Sequence, residues 1–307
     1  MRHRTISACV LLALGFLTST VRSAETSDGP DVVVELISPG EMPRKELRFQ
    51  PKVGETESII MTMKMSQKIS VDGNSFPSPA TPTQKFTLKT AIKDVASNGD
   101  VSFEFEYANI EMVDDPKSPS PLTQALMNML KPMIGSKGSA VVSDRGFTKK
   151  SEFKLKDGLA PQLKMMIDGM VDSVGKMSSP VPEEPIGVGG KWKVVQNLTT
   201  NGMTLKQIAT HELTTLTADG FEITTEIAQE AEPQEVKSPL LPPGATMNLE
   251  SLSTEGKGTS AYRFTSMMPA KANSSVSSNG AMTINANGKD QNLKTETKIE
   301  IHLDNPQ

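Results

Sequence analysis

Side chains able to carry chemistry are few in this 307-residue chain: three histidines and one cysteine. A metal centre needs several His, Cys or carboxylate ligands converging at fixed spacing. His211 and His302 are far apart and have no cysteine near them, so no metal site and no cofactor is expected. His302 falls on the charged side of an alternating segment and reads as a solvated strand residue. His211 shares parity with Leu205, Gln207, Ala209 and Leu213, which turns it inward. There it is either a core histidine bonded to a backbone carbonyl or, if two carboxylates reach it, a general base. The pairs Asp114-Asp115 and Glu183-Glu184 precede proline-rich stretches, where charge keeps a connection solvated. No acidic run fits a calcium loop, and no Gly-x-Ser-x-Gly elbow occurs. Gly187-Val188-Gly189-Gly190 lacks the Lys-Ser/Thr ending of a phosphate loop and reads as a turn admitting Trp192 to a strand. No catalytic residue is assigned and the chain is not expected to be an enzyme.

Methionine is the compositional oddity, with 18 residues against 10 phenylalanines. Its flexible thioether adapts to irregular apolar shapes, so methionine-rich faces suit promiscuous apolar ligands. Met61, Met63 and Met65 share one strand face, while Met129, Met133, Met166 and Met170 lie on helical stripes able to close over it. With Trp192, the single tryptophan, they form the candidate binding site for a lipid-like molecule held between sheet and helices. The plainer reading is that methionine replaces scarce aromatics in an ordinary core, and that Trp192 fills the core with Val194 and Leu198. Copper is a weaker alternative, because these side chains point where burial is expected.

Those residues need a scaffold, and the chain's start says where it is delivered. Arg2 and Arg4 precede a mostly apolar run, Ile6 to Leu17, too short to span a bilayer. Residues 1–23 read as a signal peptide cleaved after Ser23, and residues 24–31 as a disordered mature N-terminus. Cleavage removes three arginines and no acid, which takes the formal charge from −4 to −7. The only cysteine, Cys9, leaves with that segment, so the mature chain forms no disulfide and offers no thiolate. Cys9 starts the apolar run instead of following it, which disfavours lipidation. The absence of disulfides favours a bacterial cell envelope, in the periplasm or outside it. Neither a transmembrane anchor nor nucleic acid is expected, since no other long apolar run and no strongly basic stretch occurs.

Period-two alternation dominates what remains. Ile59, Met61, Met63, Met65, Ile69 and Val71 oppose Thr62, Lys64, Ser66 and Lys68. Phe86 to Ile92, Val101 to Tyr107 and Leu293 to Leu303 behave likewise, which describes antiparallel strands with one wet face. Asn98-Gly99, Asp219-Gly220 and Asn279-Gly280 read as hairpin turns. Proline and glycine between Val71 and Gln84 predict an irregular loop. Similar glycine turns, at Val53-Gly54 and Gly189-Gly190, open the two halves. The expected fold is therefore mainly β with two helices (α+β): two pseudo-repeated curved antiparallel modules, residues 32–118 and 181–304. Between them, residues 119–180 read as helix, strand, helix. The first helix runs from Pro121 with Ser120 as N-cap, the strand over Gly138 to Phe153, and the second helix from Pro161.

Lys45-Glu46-Leu47-Arg48-Phe49 leading into Val53-Gly54, and Pro182 to Trp192 after a helix, resemble an uncharacterised family of secreted bacterial β-rich proteins. That family has no assigned activity. The expected architecture is more loosely similar to the periplasmic lipoprotein-carrier fold, which implies acyl chains held against a concave sheet. The expected function is binding of an apolar small molecule, and the alternative is a structural or protein-interaction module of the envelope.

Overall fold

The computed structural model describes residues 32–76, 78–154, 180–200, 203–236, 241, 244–286 and 288–305. Alternating segments become strands: β1 (Val32–Ser38), β2 (Thr56–Val71), β3 (Asn74–Phe76), β4 (Thr83–Val95), β5 (Val101–Val113), β6 (Lys137–Val142) and β7 (Thr148–Lys154). The second half supplies β8 (Lys191–Thr200), β9 (Met203–Leu216), β10 (Gly220–Ala231), β11 (Gln234–Glu235), β12 (Thr246–Arg263), β13 (Lys271–Ala286) and β14 (Lys289–Asp304). All belong to one antiparallel sheet in the order β1-β8-β9-β10-β12-β13-β14-β2-β4-β5-β6-β7, with β3 added to β2 and β11 to β12.

This order overturns the two-module expectation. β14, the last strand, pairs with β2 from Leu293↔Val71 to Asp304↔Ile60, and β1 pairs with β8 of the other half. Separate modules would leave the N–H and C=O rows of β2 and β14 as open edges, a cost that continuous pairing removes. Among the described residues the helical content is also smaller than expected. One α-helix, α1 (Thr123–Leu130), is followed by a 3-10 turn at Lys131–Met133. Pro132, lacking an amide hydrogen, stops α1, and Gly135 turns the chain at φ 79°. Ser120 is not the N-cap: it accepts from the Leu122 amide at 3.1 Å and donates to the Ala80 carbonyl. The second expected helix, with Met166 and Met170, lies outside the described residues, as do residues 1–31.

Three local expectations change as well. Gly138 to Phe153 is a hairpin, β6 and β7, turned at Ser143–Gly146 with Gly146 at φ 90°. The loop after Val71 contains a short strand, because Asp72-Gly73 folds β3 back onto β2. Asn279-Gly280 lies inside β13, paired to Ser253 and Leu252. There glycine serves close approach, since a Cβ would sit 3.0 Å from Thr295 Oγ1.

One face of the sheet is charged and the other is buried in three clusters. Leu47, Phe49, Val181 and Ile186 cover Trp192, Val194, Leu213 and Phe221 at the β8–β10 end. Leu130 and Met133, from α1 and its turn, cover Phe86 and Ile110 of β4 and β5. Val236 closes over Met247, Leu249 and Met282. The first cover also joins the two ends of the sheet. The β6–β7 turn gives its Arg145 carbonyl to the Val181 amide at 2.9 Å and its Asp144 carbonyl to the Phe49 amide at 2.7 Å. Arg48 then binds the Pro182 and Glu183 carbonyls. Twelve strands in sequence with both ends tied to one strap must wind around.

Truncating Ile110, fully buried beneath α1, to alanine should destabilise the fold by about 2–5 kcal/mol, whereas Val113→Ala, on the exposed end of β5, should cost about 0.5 kcal/mol or less. Urea midpoints followed by Trp192 fluorescence will compare them.

Candidate functional site

The methionine site is only partly assembled as the sequence predicts. Met61 and Met63 meet Met129 and Met133 in one cluster with Phe86 and Ile110, and Met133 is fully buried. These four fill space under α1. Met65 lies two positions further along β2, half-buried. Met166 and Met170 lie outside the described residues. Trp192 is a core residue: its Nε1 donates to the Pro180 carbonyl at 3.0 Å and its ring stacks on His211 at 5.0 Å.

His211 does point inward and is 3% exposed. Its Nδ1 is 2.9 Å from Thr225 Oγ1, and its Nε2 is buried without a partner. Burial pushes its pKa down from 6.5 to about 4, so the ring is neutral at pH 7. The Thr225 hydroxyl, and not a carboxylate, orients the ring. His302 stays on the charged face, 2.7 Å from Asn273 Oδ1.

Register brings together a set that strand-by-strand reading misses. Gln196 of β8 stands opposite Gln207 of β9, which stands opposite Gln229 of β10. Gln229 faces Thr254 of β12, then Ser278 of β13, Thr297 of β14 and Gln67 of β2 follow. This polar row crosses seven adjacent strands on the apolar face. Within it Gln229 Nε2 donates to Gln207 Oε1 at 2.5 Å, Thr254 Oγ1 to Ser278 Oγ at 2.9 Å, and Gln67 Nε2 to Thr297 Oγ1 at 3.3 Å. Gln196 is 2% exposed and neither its Nε2 nor its Oε1 has a partner. The available signal was a glutamine at the apolar parity of four segments: between Met65 and Ile69, Val194 and Leu198, Leu205 and Ala209, Ile227 and Ala231.

Beside that row runs an apolar one: Val194, Ala209, Ile227, Gly256, Val276, Ile299 and Met65. Its β8–β9 end is buried under the first cover, but Ile227, Val276, Ile299 and Met65 are only half-buried. The charged face has two open grooves, of about 830 and 750 Å³. Their charges alternate in sign and pair across strands, as in Lys191–Glu212 at 3.1 Å, Lys257–Glu226 at 3.3 Å and Lys137–Glu106 at 3.5 Å. Neither groove therefore presents a field of one sign to a charged ligand. Among the described residues no three His, Cys, Asp or Glu converge as metal ligands, and no helix is long and apolar enough to cross a membrane.

Fold and site together define a large all-antiparallel β protein with an apolar inner face crossed by a polar row. No family model and no curated protein matches the chain. Among solved structures, one described as engineered proteins of asymmetric conductivity overlaps 80% of this chain and 100% of that one, at 6% identity and TM-score 0.17. An outer membrane channel from Pseudomonas putida F1 overlaps 86% of this chain and 100% of its own, at 8% identity and TM-score 0.18. At such scores neither likeness bears on fold or function.

The His211 ring gives a signed pH dependence. Its folded value lies below its ordinary one, so the unfolded chain takes up the proton first. Stability is complete above about pH 6.5, falls as pH drops towards 4, and loses roughly 3 kcal/mol through this group. His211→Leu should remove that part of the slope when wild type and variant are unfolded at pH 7 and pH 4.

Proposed function

We propose that this chain is a non-catalytic binding protein, exported by residues 1–23 to the bacterial periplasm or beyond, that holds a lipid-like molecule against its inner sheet face. The observation that carries this reading is the half-buried apolar row Ile227, Val276, Ile299 and Met65. Contiguous apolar surface left partly open on a water-soluble face marks a ligand or partner site. It borders the filled methionine cluster, and so shifts the expected site from Met61, Met63, Met129 and Met133 towards Met65 and the β10–β14 strands.

A second reading is a protein-interaction module, favoured by β1. Among the described residues its outer edge is unpaired, and Val33 and Ile37 are 45% and 53% exposed. Such an edge can receive a partner strand.

Native mass spectrometry of protein purified from its host should show a bound small molecule of amphiphilic mass. Ile299→Gln should reduce its occupancy severalfold without loss of the β-sheet circular dichroism signal. A reproducibly empty protein that captures a stoichiometric envelope protein, and loses it on Ile37→Lys, would overturn the ligand reading in favour of the second.

A further inference from the structure

The buried amide of Gln196 is the one member of the polar row with no hydrogen bond at either terminal atom. Unpaired buried polar atoms are rare in native proteins and each asks for an explanation, of which a bound polar group is one. The amide oxygen only accepts and the nitrogen only donates. A group that satisfies both must itself donate and accept. No member of the row is charged, so an ionised group would be stripped of water with no counter-charge beside it.

Resting on the binding reading above, we infer that Gln196 and its neighbour Gln207 receive the neutral headgroup of an amphiphile, a hydroxyl or carboxamide, whose hydrocarbon chain lies along Ile227, Val276 and Ile299. Burial along the row supports the direction of entry. Gln67, Thr297, Ser278 and Gln229 are half-buried and Thr254 is buried between them, while Gln207 and Gln196 close the β8–β9 end at 6% and 2% exposed. The row spans six strand spacings, about 29 Å, enough for an extended acyl chain with its headgroup at β8.

The test titrates the full chain, delipidated, with hexadecanol, hexadecanamide, hexadecane and palmitate, read by native mass spectrometry and by Trp192 fluorescence. Trp192 lies on the same inner face of β8 as Gln196. The alcohol and the amide should bind about tenfold tighter than the alkane and the carboxylate. Gln196→Leu should erase that preference while the empty variant melts at an equal or higher temperature, because an unpaired polar group has been removed. Hexadecane or palmitate bound as tightly as hexadecanol overturns the headgroup inference and leaves the binding reading standing. A preference unchanged in Gln196→Leu, or a lowered melting temperature of the empty variant, overturns it too. Failure of all four probes overturns the binding reading together with the inference. The four-probe comparison on the unaltered chain decides the matter even if the variant does not fold.

Discussion

The inner face is placed by strand register, carried through twelve strands and adjusted by register shifts in five of the pairs. In a β-strand successive side chains alternate sides, so a one-residue slip at any seam would turn all later inner residues outward. The two halves of the chain meet at β1–β8 and, over twelve residue pairs, at β14–β2. There Leu303, Ile301 and Ile299 stand opposite Met61, Met63 and Met65, while Lys68 and Glu296 pair on the far side at 3.1 Å. Glu226–Lys257 and Lys191–Glu212 sit at the same kind of direct register position further along. Each exposed ion pair contributes little stability. Their weight is against the alternative, since a slipped strand would drive these charges into the apolar side.

That constraint explains how much of the fold was legible in the sequence. The strands β2, β4, β5 and β14 follow from alternation alone, and the inward set of His211, Ala209 and Leu213 follows from parity. The α1 stop follows from Pro132. What alternation cannot supply is which strand lies beside which. The continuation of β14 into β2 depends on two segments more than two hundred residues apart, and the similar glycine turns of the two halves point the wrong way. Asn279-Gly280 fails for a related reason. A turn signal is local, but here β12 and β14 each pair with β13 on both sides of Gly280, and the ladder outweighs the local preference.

The candidate site divides along the same line. Met61, Met63, Met129 and Met133 meet in one cluster, where strand and helix periodicities point them at one another. Whether they enclose a void or fill it depends on how closely α1 lies, which periodicity does not determine. The polar row is the opposite case. Each glutamine is visible as a break in an apolar run, but their alignment exists only once seven strands are in register.

The row also separates two physical reasons for keeping polar groups in a buried sheet face. Polar groups can specify register, because mispairing would strand their donors and acceptors. The bonds Gln207–Gln229, Thr254–Ser278 and Thr297–Gln67 fit that role, each made between direct partners on adjacent strands. Gln196 does not. It stands opposite Gln207 in register and makes no bond to it, whereas Gln207 bonds Gln229 on its other side. A leucine at that place would pack against Val194 and Leu198 at no polar cost, so stability alone does not account for an amide there, and the inferred headgroup contact is the role proposed for it.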